Sequence, residues 1–108
     1  MEFNYLYEIE NGKAVISGTD LPETSKITKL AIPSEIDGIT VVGIAESAFH
    51  HYKYDYVEEL TLPHSLKTIG EQAFDGIKRL RSLDIPESVG EIGKFAFAYC
   101  SSLTSVKY

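Results

Sequence analysis

The apolar positions of this chain fall on a repeating grid. Leu60-Thr61-Leu62-Pro63 returns as Leu83-Asp84-Ile85-Pro86, displaced by 23 residues. At the same displacement Ile69-Gly70 returns as Ile92-Gly93, Ala73-Phe74 as Ala96-Phe97, and Leu80 as Leu103. Within one unit, Leu60 and Leu62 flank Thr61, which predicts a short strand with one apolar side. Pro63 lacks the N–H that a ladder needs and closes that strand. Leu66 and Ile69 predict a second extended pair, and Gly70 permits a bend after it. Residues 71–76 are long enough for about one and a half turns of helix, with Ile69, Ala73 and Ile77 on one face. Phe74 and Phe97 are expected to stack as a column, and Ala73 and Ala96 to be small where neighbouring units approach.

An earlier unit opens at Ile27 and carries Leu30-Ala31-Ile32-Pro33. Pro33 and Pro63 are 30 residues apart where the later spacing is 23, so seven residues are inserted. Matching Ile44 and Ala48-Phe49 to Ile69 and Ala73-Phe74 places five of them around Ile36 to Val41. The other two fall in the run His50-His51-Tyr52-Lys53-Tyr54-Asp55-Tyr56. Upstream, Phe3, Tyr5, Tyr7 and Ile9 alternate with Asn4, Leu6, Glu8 and Glu10, the period of a strand. Asn11-Gly12 supplies two residues that tolerate positive φ, and Ala14-Val15-Ile16 is a second β-prone run. Residues 3–17 therefore predict a hairpin covering the first coil, and Gly18 to Lys26 a connecting loop.

A period between 20 and 29 with leucines at fixed offsets predicts a leucine-rich solenoid. The expected fold class is α/β: a short right-handed solenoid of about three coils, each a strand plus a short helix, behind an N-terminal hairpin cap. The expected organisation is one domain over 1–108, with 1–26 as hairpin cap and linker and 27–108 as repeats. Val106-Lys107-Tyr108 takes the place of Leu60-Thr61-Leu62 and predicts an unpaired edge strand, open to self-association or a neighbouring unit.

Composition narrows the partners. A length of 108 residues suits one modest core, and an apolar share of 44% is that of a globular chain. A net charge of -6 argues against nucleic acid and anionic lipid as partners. No stretch approaches the roughly 20 apolar residues that cross a bilayer, and residues 1–25 lack a basic start with an apolar run. Cys100 is the one cysteine, so no internal disulfide is available.

Few residues invite chemistry. His50-His51 and His64 lack the spacing of a metal site. Cys100 has no general base at a recognised spacing, and Ile77 holds its place one unit earlier, which makes it a buried structural position. Glu58-Glu59 belongs to a solvated face, and Gly70 and Gly93 are not a phosphate loop. No catalytic residue, metal or cofactor is expected. Two surfaces remain as candidate partner-binding sites. The outward strand rows comprise Lys29 and Ala31, Glu59 and Thr61, Ser82 and Asp84, and Ser105 and Lys107; the central four are Glu59, Thr61, Ser82 and Asp84. The other is the aromatic insertion, where Tyr52, Tyr54 and Tyr56 would share one side of an extended segment. Each has a plainer alternative: a solvated sheet face, or tyrosines covering the wide first coil.

The pattern Leu-x-Ile-Pro-x-x-Val-x-x-Ile-Gly-x-x-Ala-Phe-x-x-Cys-x-x-Leu, complete from Leu83 to Leu103, resembles the BspA-like (TpLRR-type) leucine-rich repeat. The Leu60 unit carries Ile77 in the cysteine position, and the hairpin followed by residues 32–44 resembles the N-terminal segment of that family. The resemblance implies a bacterial surface or secreted protein with a non-catalytic role in adhesion or host contact. It also implies a protein or glycan partner, extracellular on the host side. The alternative function is a structural cap or spacer within a larger or oligomeric assembly, without a ligand of its own.

Overall fold

Asn11 and Gly12 adopt φ of 51° and 76° and turn the chain into its first hairpin. The computed structural model describes residues 3–107. The hairpin pairs β1 (Tyr5–Glu10) with β2 (Lys13–Thr19), two residues beyond the expected end. The strands that follow are β3 (Lys29–Ala31), β4 (Glu35–Ile36), β5 (Ile39–Ile44), β6 (Glu59–Thr61), β7 (Thr68–Ile69), β8 (Ser82–Asp84), β9 (Glu91–Ile92) and β10 (Ser105–Lys107). They form two sheets. One runs β1-β2-β5-β7-β9 with β4 on β5, and the other runs β10-β8-β6-β3.

From β2 onward the stacked neighbours are parallel, and each turn of chain gives one strand to each sheet. The stack is therefore four turns deep, not about three, because β2 of the hairpin is itself the first strand of the parallel series. Ala45, Gly70 and Gly93 donate their N–H to the carbonyls of Ile16, Ile44 and Ile69, each at 2.8 Å. One ladder rule thus holds from the hairpin to the last coil.

The expectation of a short helix in each coil is overturned. Residues 71–76 and 94–99 are consecutive turns, and the only helix among the described residues is the 3-10 segment Tyr52–Tyr54. The architecture is a mostly β solenoid, not α/β. Ser47, Gln72 and Phe95, equivalent positions of three coils, have φ of 57°, 56° and 60°, which no right-handed helix allows. Their neighbours' backbone groups are spent between coils. Phe49 N–H donates to Ala73 O, Phe74 N–H to Ala96 O and Gly76 N–H to Ala98 O, each at 2.8 Å. An N–H pointed at the next coil cannot serve a bond to the residue four back.

Between the coils lies the core. Phe49, Phe74 and Phe97 stack with centroids 5.1 and 5.3 Å apart and planes within 1° and 6° of parallel. Leu30, Leu60 and Leu83 fill the column behind one sheet, and Ile16, Ile44 and Ile69 the column behind the other. Both columns open at the last coil, where Ile92 is 45% exposed and Val106 44%. Glycine at 70 and 93 answers to this stacking more than to the bend expected there. A Cβ on Gly70 would lie 2.7 Å from the Glu46 nitrogen, and one on Gly93 2.5 Å from the Glu71 nitrogen. The larger insertion near Ile36 is a second hairpin, β4 on β5, closed by Asp37 and Gly38 at φ of 53° and 79°.

Candidate functional site

The four-stranded sheet presents the expected rows in register. Lys29 lies beside Glu59, Ala31 beside Thr61, Glu59 beside Ser82, Ser105 beside Ser82, and Lys107 beside Asp84. All of these side chains are exposed, while Leu30, Leu60 and Leu83 between them are buried. Alternation along a strand whose inner face closes the core forces this outcome. Lys29 Nζ approaches Glu59 Oε2 at 3.5 Å; Asp84 and Lys107 add a second pair of opposite charges in register, and the remaining outward residues, Ala31, Thr61, Ser82 and Ser105, are small or hydroxyl-bearing. A shallow depression of about 320 Å³ spans Glu59, Thr61, Ser82, Asp84, Ser105 and Lys107.

The aromatic insertion departs from its expected form. An extended segment would have set three tyrosines on one side; the 3-10 segment turns about every three residues and sends them apart. Tyr54 is buried at 1% exposure, edge-on to Phe49 at 5.1 Å, with its hydroxyl 2.8 Å from Thr19 Oγ1. It is a core residue and no contact surface. Burial pushes its phenol above the ordinary range. Tyr56 is half-buried, with the Arg79 guanidinium 4.2 Å from its ring centroid. Tyr52 alone remains open, at 59% exposure, and its hydroxyl donates to Glu23 Oε1 at 2.6 Å. Lys53 Nζ donates to the carbonyls of Thr19 and Leu21 at 3.2 and 3.0 Å. The insertion is thus a clasp that fastens the connecting loop to the second turn.

Cys100 is buried, as its column position implied. Its Sγ donates to the Phe74 carbonyl at 3.4 Å, and burial raises its pKa, which suppresses the thiolate. Tyr5 donates to the Ala31 carbonyl at 2.6 Å, and its pKa is pushed up to about 12, chiefly by burial. Among the described residues no three of His, Cys, Asp and Glu converge to hold a metal ion. Sequence reasoning passed over a second concavity, between the clasp and the third turn. His50, His51, Tyr52, Asp55, Asp75 and Lys78 border a cleft of about 360 Å³. Asp75 is buried and accepts from Gln72 Nε2 at 3.2 Å.

These features define a parallel-strand solenoid whose coils are held by columns of leucine, isoleucine and phenylalanine. Residues 16–108 match the family described as BspA type Leucine rich repeat region (6 copies). The chain belongs to that family. No curated protein matches it. Among solved structures it is similar to a leucine-rich repeat protein from Bacteroides capillosus, at 20% identity and a TM-score of 0.62, over 95% of this chain and 92% of that one. It is also similar to the Leucine Rich Repeat protein of T. pallidum (TpLRR), at 22% identity and a TM-score of 0.51, over 94% and 67%. A leucine rich cell surface protein from Faecalibacterium prausnitzii is similar at 17% identity and a TM-score of 0.51; this chain spans 52% of it. At these identities the likeness is one of fold.

Proposed function

We propose that this chain is a non-catalytic interaction module of a bacterial surface or secreted protein, and that it meets a protein partner through the outward face of its four-stranded sheet. What carries the reading is the exposed, in-register double row of Lys29, Ala31, Glu59, Thr61, Ser82, Asp84, Ser105 and Lys107. Its backbone is locked by ladders on both sides of each inner strand, so little conformational entropy is lost on contact. Small and hydroxyl side chains let a partner approach closely, and Glu59 and Asp84 give it charge to read. A surface location is supported by the family likeness and by the similarity to a cell surface protein of Faecalibacterium.

The test is binding of the purified chain to a panel of host extracellular-matrix proteins. A Glu59→Arg, Asp84→Arg variant, shown to be folded by its melting curve, serves as comparison. Saturable binding lost in the variant supports the reading, and binding unchanged by it places the contact elsewhere. A second reading, a structural unit that joins an assembly end to end, is favoured by exposure of Ile92 and Val106 at the last coil. Sedimentation decides that one: a monomer at all concentrations removes it.

A further inference from the structure

We infer that the cleft between the clasp and the third turn is a saccharide site that takes a single pyranose ring against Tyr52. This goes beyond the sheet-face reading and does not depend on it. The Tyr52 ring is exposed but not free to turn away. Its hydroxyl is tied to Glu23, and the His51 imidazole lies 4.3 Å from its centroid at a 34° tilt. His51 Nδ1 accepts the Lys53 N–H at 3.1 Å, so the neutral imidazole carries its proton on Nε2 and offers a donor from a fixed position. Asp75 also borders the cleft; it is buried and oriented by Gln72, and its carboxylate has further lone pairs that accept hydrogen bonds. Asp55 and Lys78 complete a border of mixed sign.

That chemistry selects among ligands. An anion such as phosphate would face two carboxylates, and a simple cation would face Lys78. An apolar ligand would give the buried carboxylate of Asp75 no hydrogen bond beyond the one from Gln72. A pyranose suits every wall: one C–H face for the aromatic ring, and hydroxyls at its edge that both donate and accept. Gly76 also borders the cleft, at φ of 86° with nothing within 4 Å of an added Cβ. One coil later the same position carries Tyr99 at φ of 58°. Preorganisation of both walls lowers the entropy lost when a small ligand binds.

Titration of the isotope-labelled chain with the methyl pyranosides of glucose, galactose and mannose, and with N-acetylglucosamine, followed by amide chemical shifts, tests the inference. At least one sugar is expected to give saturable shifts at His51, Tyr52, Gly76 and Lys78, with a Kd on the order of millimolar. Tyr52→Ala and Gly76→Tyr should each abolish them, and Asp75→Asn should weaken binding by about tenfold through loss of a charged acceptor. Gly76→Tyr keeps the test decisive if Tyr52→Ala disturbs the clasp, because it sets a bulky ring at the border of the cleft in a left-handed position that Tyr99 shows tyrosine to tolerate. Glu59→Arg, Asp84→Arg should leave the shifts intact, which separates this site from the sheet face. Absence of saturable shifts with all four sugars overturns the inference, as does sugar binding that survives Gly76→Tyr.

Discussion

The Tyr54 hydroxyl meets the Thr19 hydroxyl at 2.8 Å in the interior, joining the inserted turn to the end of the hairpin. The contact spans 35 residues and makes the insertion part of the core. Tyr54→Phe keeps the ring against Phe49 and removes one buried hydrogen bond. It is expected to cost about 1 kcal/mol in denaturant unfolding. Tyr54→Ala removes the ring as well and should cost about 3–5 kcal/mol. Equal losses in the two variants would mean that packing is not what Tyr54 supplies.

The phenylalanine column makes a graded forecast. Phe74 has a stacked ring on both sides, whereas Phe97 has one and is half-buried. Phe74→Ala should destabilise by about 3–5 kcal/mol, and Phe97→Ala by distinctly less. Chemical denaturation of the two variants side by side checks the order.

Gly93→Ala should be harmful although it adds only a methyl group. The new Cβ would sit 2.5 Å from the Glu71 nitrogen and 2.8 Å from the Gly70 carbonyl carbon, both backbone atoms of the preceding coil. Separation of the coils is the only relief, and a loss of about 1–3 kcal/mol is expected by analogy with overpacked cores. A melting temperature equal to that of the parent would show that the coils are looser than described.

Phe95 carries the opposite expectation. It holds φ of 60° with its ring 65% exposed, so it bears left-handed strain with little burial in return. Phe95→Gly should therefore be neutral or stabilising by up to about 1 kcal/mol, strain relief offsetting the added freedom of the unfolded chain. A clear fall in melting temperature would assign Phe95 a packing role.

Alkaline stability should follow Tyr5. Its folded pKa, raised to about 12 from 10.0, means that the folded chain keeps the proton where the unfolded chain releases it. The stability it contributes is complete below pH 10 and is lost as pH rises toward 12. The raised pKa of Cys100 acts in the same direction from its own lower starting value. Melting temperatures measured from pH 8 upward should fall more steeply for the parent than for Tyr5→Phe.

Much of this molecule was legible as pattern, and what was missed is instructive. The interval of 23 residues located β6 through β10 with the buried Leu60 and Leu83, and the motif Leu30-Ala31-Ile32-Pro33 located β3; the outward rows followed, because a period-2 strand over a core leaves one arrangement. The helices assigned to residues 71–76 failed for a reason local periodicity does not carry: the coil's N–H groups bond across to the next coil. Asp37-Gly38 was as plain a turn signal as Asn11-Gly12 and was read only as inserted length. The tyrosine run looked like a strand by alternation, yet Tyr54 was drawn into the core left open by the wide second turn. The cleft was invisible because His51 and Asp75 become neighbours only when the stacking of coils is known.

Contact through the outward sheet face is best measured by a chemical-shift map of the chain saturated with the partner that the panel identifies. Shifts are expected to concentrate at Glu59, Thr61, Ser82 and Asp84, with Ile92, Phe95 and Val106 unmoved. Shifts concentrated at those last three would contradict it and place the contact on the open end of the stack.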